Sequence, residues 1–369
     1  MPPGAPDGTS VRIGLVTSID TGTGSGRSEL RAAQLAVDTI NTQGGLRLST
    51  GTRPIELVPY DDEANAARAE RIAARLSQVD RVSAVVGPSS AETAAAITSQ
   101  LERLRTPVVT LASAGRLASM VDVGRWVFTL PLDGDAAIEH LVEFLSASRV
   151  ERVGWIAPRT AAAERARMTL LRAAATRKIA VIAEETYSFA NPDTSEAFAR
   201  LSHAGATEIV AWPRDQSDAA ILIRAASERA PRSRLYLGPS VSDDRLLASV
   251  TTPAPSVRAM GVRVQIPDEL WDTDPLTPMV RQFVREFRGR YGYHPPPTAA
   301  VAWDAVRLVA QAAQSTDASP TAVRDRLELT QRFAGASGSV SYSPTGHDGL
   351  DKSAFLIMRM EAGNWRSLP

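Results

Sequence analysis

Residues 82–113 read as strand, loop, helix, strand, loop. Val82-Ser83-Ala84-Val85-Val86 is a short apolar run, ended by Gly87-Pro88-Ser89-Ser90. Residues 91–104 carry Ala94, Ile97, Leu101 and Leu104 at helical spacing. Pro107-Val108-Val109-Thr110-Leu111 is the next strand, and it opens onto Ala112-Ser113-Ala114-Gly115. A strand–helix–strand unit of this kind requires parallel strands and a right-handed crossover. Both strands then end on one edge of the sheet, where open α/β sheets bind ligands. Ser89, Ser90, Ala112 and Ser113 are therefore the first candidate binding residues, in two small loops side by side.

The same alternation continues on both sides. Strands at 11–16, 55–60 and 126–129 and helices at 28–43 and 65–77 complete a first half. In its first helix Leu30, Ala33, Val37 and Ile40 are expected to face the core. A second half alternates from the helix at 135–146 to the strand at 257–264, with a helix expected at 243–250. Helices at 278–291, 297–314 and 320–329 follow, then strands at 340–342 and 354–360. Phe283, Phe287 and Trp303 stand at helical spacing and are expected in the core. Punctuation near Pro131, near Ile266-Pro267-Asp268 and at Gly335-Ala336-Ser337-Gly338 places three crossings between the halves. The expected organisation is α/β: a linker at 1–9 and two Rossmann-like lobes joined by three hinge segments. One lobe is 10–131 plus 266–337; the other is 132–265 plus 338–369.

Composition narrows the function. At 369 residues the chain exceeds one simple core, and two domains are the default. The 41 basic and 41 acidic residues cancel and form no block, which argues against a nucleic-acid surface. With no cysteine, disulfides, thiolate metal sites and a cysteine nucleophile are excluded. His140, His203, His294 and His347 are scattered without ligand spacing, so no zinc site is expected. No apolar run is long enough to span a bilayer, and no cofactor is implied. The Pro/Gly-rich start fits a chain whose export signal, lipid anchor or membrane helix lies upstream of residue 1; it also fits a cytosolic start.

The layout resembles the type I periplasmic binding fold, and within it the branched-chain amino-acid-binding proteins of ABC importers, from about residue 11 to residue 365. The resemblance rests on Ile13-Gly14-Leu15, Ala36-Val37-Asp38-Thr39-Ile40-Asn41 with Gly44-Gly45, and Tyr60-Asp61-Asp62. It continues in Val86-Gly87-Pro88-Ser89-Ser90, Pro107-Val108-Val109-Thr110, Phe283-Val284-Arg285-Glu286-Phe287 and Ala302-Trp303-Asp304-Ala305-Val306. What it implies is an extracytoplasmic protein that holds a small molecule in a cleft between two lobes and presents it to a membrane permease. The ligand implied is an amino acid or a related carboxylate or amide. Its carboxylate would sit on the Ser89-Ser90 and Ala112-Ser113 loops, where helix N-termini present N–H groups.

The other half of that amino-acid clamp is missing. The acid usual after the strand ending at Leu237 is replaced by Gly238-Pro239-Ser240. The usual first-loop tyrosine aligns with Ser25, and the usual Tyr-Gly of the second lobe aligns with Ala162-Ala163. The candidates that remain are Asp20 and Ser25 in the first loop, and Arg159, Thr160, Trp212, Arg214 and Ser240 in the second lobe. Two arginines and a tryptophan suit an anionic or flat ligand better than a zwitterion.

Blander roles compete for several of these residues. The serines are also apt helix caps, and Trp212 serves equally as core packer or cleft platform. Gly22-Thr23-Gly24-Ser25-Gly26 lacks dinucleotide spacing, since Arg27 stands where Gly-x-Gly-x-x-Gly needs its third glycine. Asp61-Asp62-Glu63 reads as a strand end before a helix cap. No Gly-x-Ser-x-Gly elbow occurs, and catalysis has no positive sign. Two binding roles stay open, importer component and sensory domain of a receptor or regulator, with an enzyme on an α/β scaffold as the weaker third.

Overall fold

The computed structural model describes residues 9–19, 25–112, 124–188, 194–239, 246, 256–361 and 363–368. Asp20, Ser113 and Ser240 lie outside the described residues, as do the linker except Thr9 and the 243–250 helix except Leu246. The described chain divides into two compact units. One runs to Leu132 and resumes over Asp272–Asp351; the other is Asp133–Trp271 with the chain from Lys352 onward.

The first unit opens with β1 Val11–Thr17, α1 Ser25–Thr42, a hairpin of β2 Leu46–Leu48 and β3 Gly51–Arg53, and β4 Ile55–Asp61. It continues with α2 Ala66–Gln78, β5 Ala84–Val86, α3 Ala91–Arg103, β6 Val108–Thr110 and β7 Val127–Thr129. The second unit contains α4 Gly134–Ala147, β8 Arg152–Pro158, α5 Ala161–Thr176, β9 Ala180–Tyr187 and α6 Ser195–His203. Then come β10 Glu208–Ala211, α7 Gln216–Arg229, β11 Arg234–Leu237 and β12 Ser256–Val262. The chain returns to the first unit for α8 Thr277–Tyr291, α9 Pro297–Ala313, α10 Pro320–Glu328, β13 Phe333–Ala334 and β14 Ser339–Val340. It closes in the second with β15 Phe355–Glu361 and β16 Asn364–Ser367.

In the first unit β4-β1-β5-β6-β7 form one all-parallel sheet. In the second the parallel run is β9-β8-β10-β11-β12, and β15 and β16 add antiparallel at its edge. Counting parallel strands in chain order, each unit reads 2-1-3-4-5. Strand order reverses beside the first strand, and that switch point is where such sheets open a ligand crevice. It lies between β1 and β5 in one unit and between β8 and β10 in the other.

Local sequence explains the elements. Asn65 caps α2 by accepting from the Arg68 N–H at 2.9 Å, and Ala69, Ile72, Ala73 and Leu76 form its buried stripe. Those side chains meet Val16, Val58, Val85, Val108 and Val127 from the sheet and Ala94, Ile97 and Leu101 from α3. Leu76 is fully buried, which contributes about 1.5–3 kcal/mol. Phe283, Phe287 and Trp303 are core residues, with ring centroids 5.0 Å apart for Phe283 and Trp303.

Three expectations need correction, and one element is new. The third crossing falls between Asp351 and Lys352, not at 335–338. The carboxylate of buried Asp304 accepts N–H bonds from Ala336 (2.9 Å) and Ser337 (2.7 Å), so that turn is clamped within the first unit. The following segment stays there too, because Gly349 N–H and Tyr342 OH both donate to the Thr129 carbonyl. The second crossing is at Trp271/Asp272, because the turn at Pro267–Glu269 stays in the second unit through an ion pair between Glu269 and Arg366. The β2–β3 hairpin, two three-residue strands, is too short to leave a periodic signal. Finally, α1 begins at Ser25 and its inward face is rotated from the expected one: Ala33 and Val37 are buried as expected, joined by Glu29, Ala32 and Ala36, while Leu30 and Ile40 are half-buried.

Candidate functional site

Two glycines shape the crevice of the first unit. Gly87, just after β5, has φ +84°, and a Cβ there would lie 2.1 Å from the Val16 carbonyl oxygen. Gly26, in the first turn of α1, approaches so closely that a Cβ would lie 2.1 Å from the Ser18 carbonyl oxygen. Only glycine lets the chain after β5 and the start of α1 press against the end of β1. The result carries Glu29 to the β1/β5 switch point. Its Oε2 accepts from Thr17 Oγ1, at the end of β1, at 2.6 Å, and from Ser89 Oγ, beyond β5, at 3.3 Å.

Glu29 is completely buried, and its Oε1 has no hydrogen-bond partner among the described residues. Burial pushes its pKa above the ordinary value; the Thr17 and Ser89 bonds pull it back in part, and the charge of Asp62 raises it further. A cavity of about 230 Å³ opens here, lined by Glu29, Ser89, Ala91, Leu111, Pro131, Leu132, Thr298 and Val301. Thr298 Oγ1, in the first turn of α9, is likewise buried without a partner. Behind this wall Asp62 accepts from Ser18 Oγ at 2.5 Å and Asp61 accepts from the Ile19 N–H at 3.1 Å, so the acidic strand end fixes the chain leaving β1.

Of the sequence candidates in this unit, Ser89 lines the cavity. Ser90 is the residue before α3, but its side chain does not cap the helix; its Oγ donates to Glu92 Oε2 at 2.9 Å. Ala112 is packed in the core against the α2/α3 face, and its N–H donates to Thr110 Oγ1 at 3.2 Å. Ser25 is the first residue of α1 and is not among the residues lining the cavity. Glu29 and Thr298 escaped the sequence reading. The signal for Glu29 was a charge in phase with Ala32, Ala33 and Ala36, hidden because Leu30 and Ile40 set the apparent face.

In the second unit a cavity of about 280 Å³ sits at the end of β8, lined by residues that include Trp155, Pro158, Arg159, Thr160, Arg167 and Thr186. Thr160 caps α5 by accepting from the Ala163 N–H at 3.2 Å. Arg159 is exposed, and its Nε donates to Thr186 Oγ1 at 3.1 Å. Arg167 is neutralised by Glu164 and Glu184. Trp212 stacks on Trp155 with centroids 6.2 Å apart and is flanked by Gly134 and Gly238, where a Cβ would lie 3.0 and 3.1 Å from its ring. Arg214 already holds a carboxylate in its fork: Nε and Nη2 donate to the two oxygens of Asp218 at 2.9 and 3.1 Å. Burial pushes the Asp218 pKa up, but the Arg214 bonds outweigh it and the net shift is downward. The structure thus brings Arg159 and Thr160 to one cavity with Trp155, stacks Trp212 on Trp155 without placing it among the lining residues, and turns Arg214 to an internal pair.

Among the described residues no group of three or more His, Asp or Glu side chains could hold a metal ion, and no helix is long and apolar enough to cross a membrane.

Two 2-1-3-4-5 units traversed by one chain three times define the type I periplasmic binding fold. The same fold is found in a protein of Rhodospirillum rubrum assigned as a branched-chain amino acid ABC transporter (TM-score 0.83, 20% identity, covering 97% of this chain and 100% of that one). An ABC transporter substrate-binding protein of Desulfitobacterium hafniense, complexed with leucine, gives a TM-score of 0.76 at 19% identity, covering 97% and 100%. A solute-binding protein of R. palustris, complexed with benzoate, gives 0.70 at 17% identity, covering 97% and 95%. No curated protein matches the sequence significantly. A family model described as periplasmic binding protein matches residues 10–364, and the chain belongs to that family.

Proposed function

We propose that this chain is an extracytoplasmic solute-binding protein that captures a small amino acid, or a related carboxylate or amide, and presents it to an ABC permease. One observation carries the reading. At the switch point of the first unit a cavity is lined by Glu29, Thr298 and Ser89, and Glu29 Oε1 and Thr298 Oγ1 are buried polar atoms without partners among the described residues. Buried polar atoms are normally satisfied, and a cavity that leaves them open is built for a partner from outside the chain. Leucine and benzoate, held by two proteins of the same fold, set the scale of molecule expected. The activity proposed is capture without turnover.

A thermal-shift screen against amino acids, aromatic acids and small amides tests the reading. A true ligand stabilises the folded chain by mass action, by about 2.7 kcal/mol at one hundred times its Kd. A saturable rise in Tm is expected for at least one member. A flat response across the panel at millimolar concentration, or chemical turnover of any member, contradicts it.

A further inference from the structure

The solute-capture reading leaves open what the cavity of the first unit selects. Resting on that reading, we propose that Glu29 is its specificity residue and receives a nitrogen head, a carboxamide or a primary ammonium, where the fold's resemblance would have put a carboxylate. Among the described lining residues Glu29 is the only ionisable one; the polar remainder is the hydroxyls of Ser89 and Thr298. No lining residue there is basic, so an incoming anion would meet only the N-terminal ends of α3 and α9, at Ala91 and Thr298, and no full positive charge. A ligand carboxylate would meet a like charge, reinforced by Asp62, whose charge already acts on Glu29 and whose Oδ2 is itself buried without a partner among the described residues.

Donor–acceptor accounting points the same way. Glu29 Oε1 can only accept when ionised, and Thr298 Oγ1 can accept as well as donate. An ammonium brings three N–H donors and a primary carboxamide two, enough to satisfy both atoms. A carboxylate brings none and leaves Oε1 orphaned unless a proton is taken up. Leu111, Pro131 and Val301 supply an apolar wall for the body of the molecule.

The test is calorimetric titration of the full chain with matched probes that differ only in the head: isoamylamine, isovaleramide and isovalerate, then benzylamine, benzamide and benzoate, with L-leucine as the zwitterion. The nitrogen-headed members are expected to bind at least tenfold more tightly than their carboxylate counterparts. Glu29→Gln should weaken the ammonium ligands about tenfold to one hundredfold, the amides less because glutamine keeps an acceptor, and should shrink the discrimination against carboxylates. Thr298→Val, which leaves the carboxylate in place, should weaken both nitrogen heads severalfold and carries the test if the first variant does not fold. Carboxylates binding as tightly as the amines and amides, or unchanged affinities in both variants, overturn the inference and leave solute capture standing. No binding by any probe overturns both.

Discussion

Thr17 Oγ1 donates to Glu29 Oε2 at 2.6 Å, joining the last residue of β1 to the second turn of α1 across a fully buried contact. A short bond of this kind is charge-assisted and fixes the carboxylate in one orientation. The other oxygen then lies unpaired in a cavity-lining residue. From that geometry, and from the glycines that permit it, several measurable consequences follow.

The first concerns pH. Glu29 is held above the ordinary carboxylate value of 4.5, chiefly by burial and also by the charge of Asp62. The folded chain therefore binds this proton more tightly than the unfolded chain does. The group's contribution to stability is complete below about pH 4.5 and is lost as pH rises through the raised value. Glu29→Gln removes that titration. Urea unfolding is expected to show the stability of the variant relative to the parent rising between about pH 4 and pH 8. Parallel stability curves across that range would contradict the assignment.

Gly87→Ala is expected to cost at least about 2 kcal/mol. The residue sits at φ +84°, and its new methyl would fall 2.1 Å from the Val16 carbonyl oxygen, so backbone strain adds to a clash with backbone. Because Ser89 lies two residues further on, solute affinity should fall along with stability. A variant with parental denaturation midpoint and parental affinity would show that the β5 loop can move aside.

Asp304→Ala removes an acceptor from two buried N–H groups and the Ser337 hydroxyl. The expected loss is about 3 kcal/mol or more, since the orphaned donors stay buried. Hydrogen exchange at the Ala336 and Ser337 amides should accelerate more than at amides within α9. Unchanged exchange there would mean that the turn is held by other contacts.

The fold was legible in the sequence wherever apolar periodicity and punctuation agreed. Alternating strands and helices and the Phe283/Phe287/Trp303 core follow from local pattern. What local pattern does not carry is a long-range polar contact. The Gly335–Gly338 run looks like a hinge by composition; thirty residues away Asp304, an unremarkable acid in an apolar helix, makes it a clamp. Arg214 looks like a ligand clamp until Asp218 is seen in its fork, although spacing four residues apart on a helix start was a readable hint. Glu29 was missed for the opposite reason. Leu30 and Ile40, both half-buried, draw the apparent face of α1 away from Glu29, Ala32 and Ala36, although its other two members, Ala33 and Val37, are buried.

That distinction between the arginines is itself testable. Arg214→Ala should lower stability, raise the Asp218 pKa and leave solute affinity within twofold of the parent. Arg159→Ala, at a guanidinium that lines the second unit's cavity and bonds only Thr186 among the described residues, should leave stability unchanged. If solute affinity proves more sensitive to Arg214 than to Arg159, the internal pairing of Arg214 has been misjudged.

The most direct measurement of the central claim is hydrogen–deuterium exchange on the full chain, with and without a saturating amount of whichever panel compound stabilises it most. The account predicts slowed exchange over residues 87–93 and 25–32, the segments that bring Ser89 and Glu29 to the switch point. Protection confined to other segments, with these two unchanged, would contradict it.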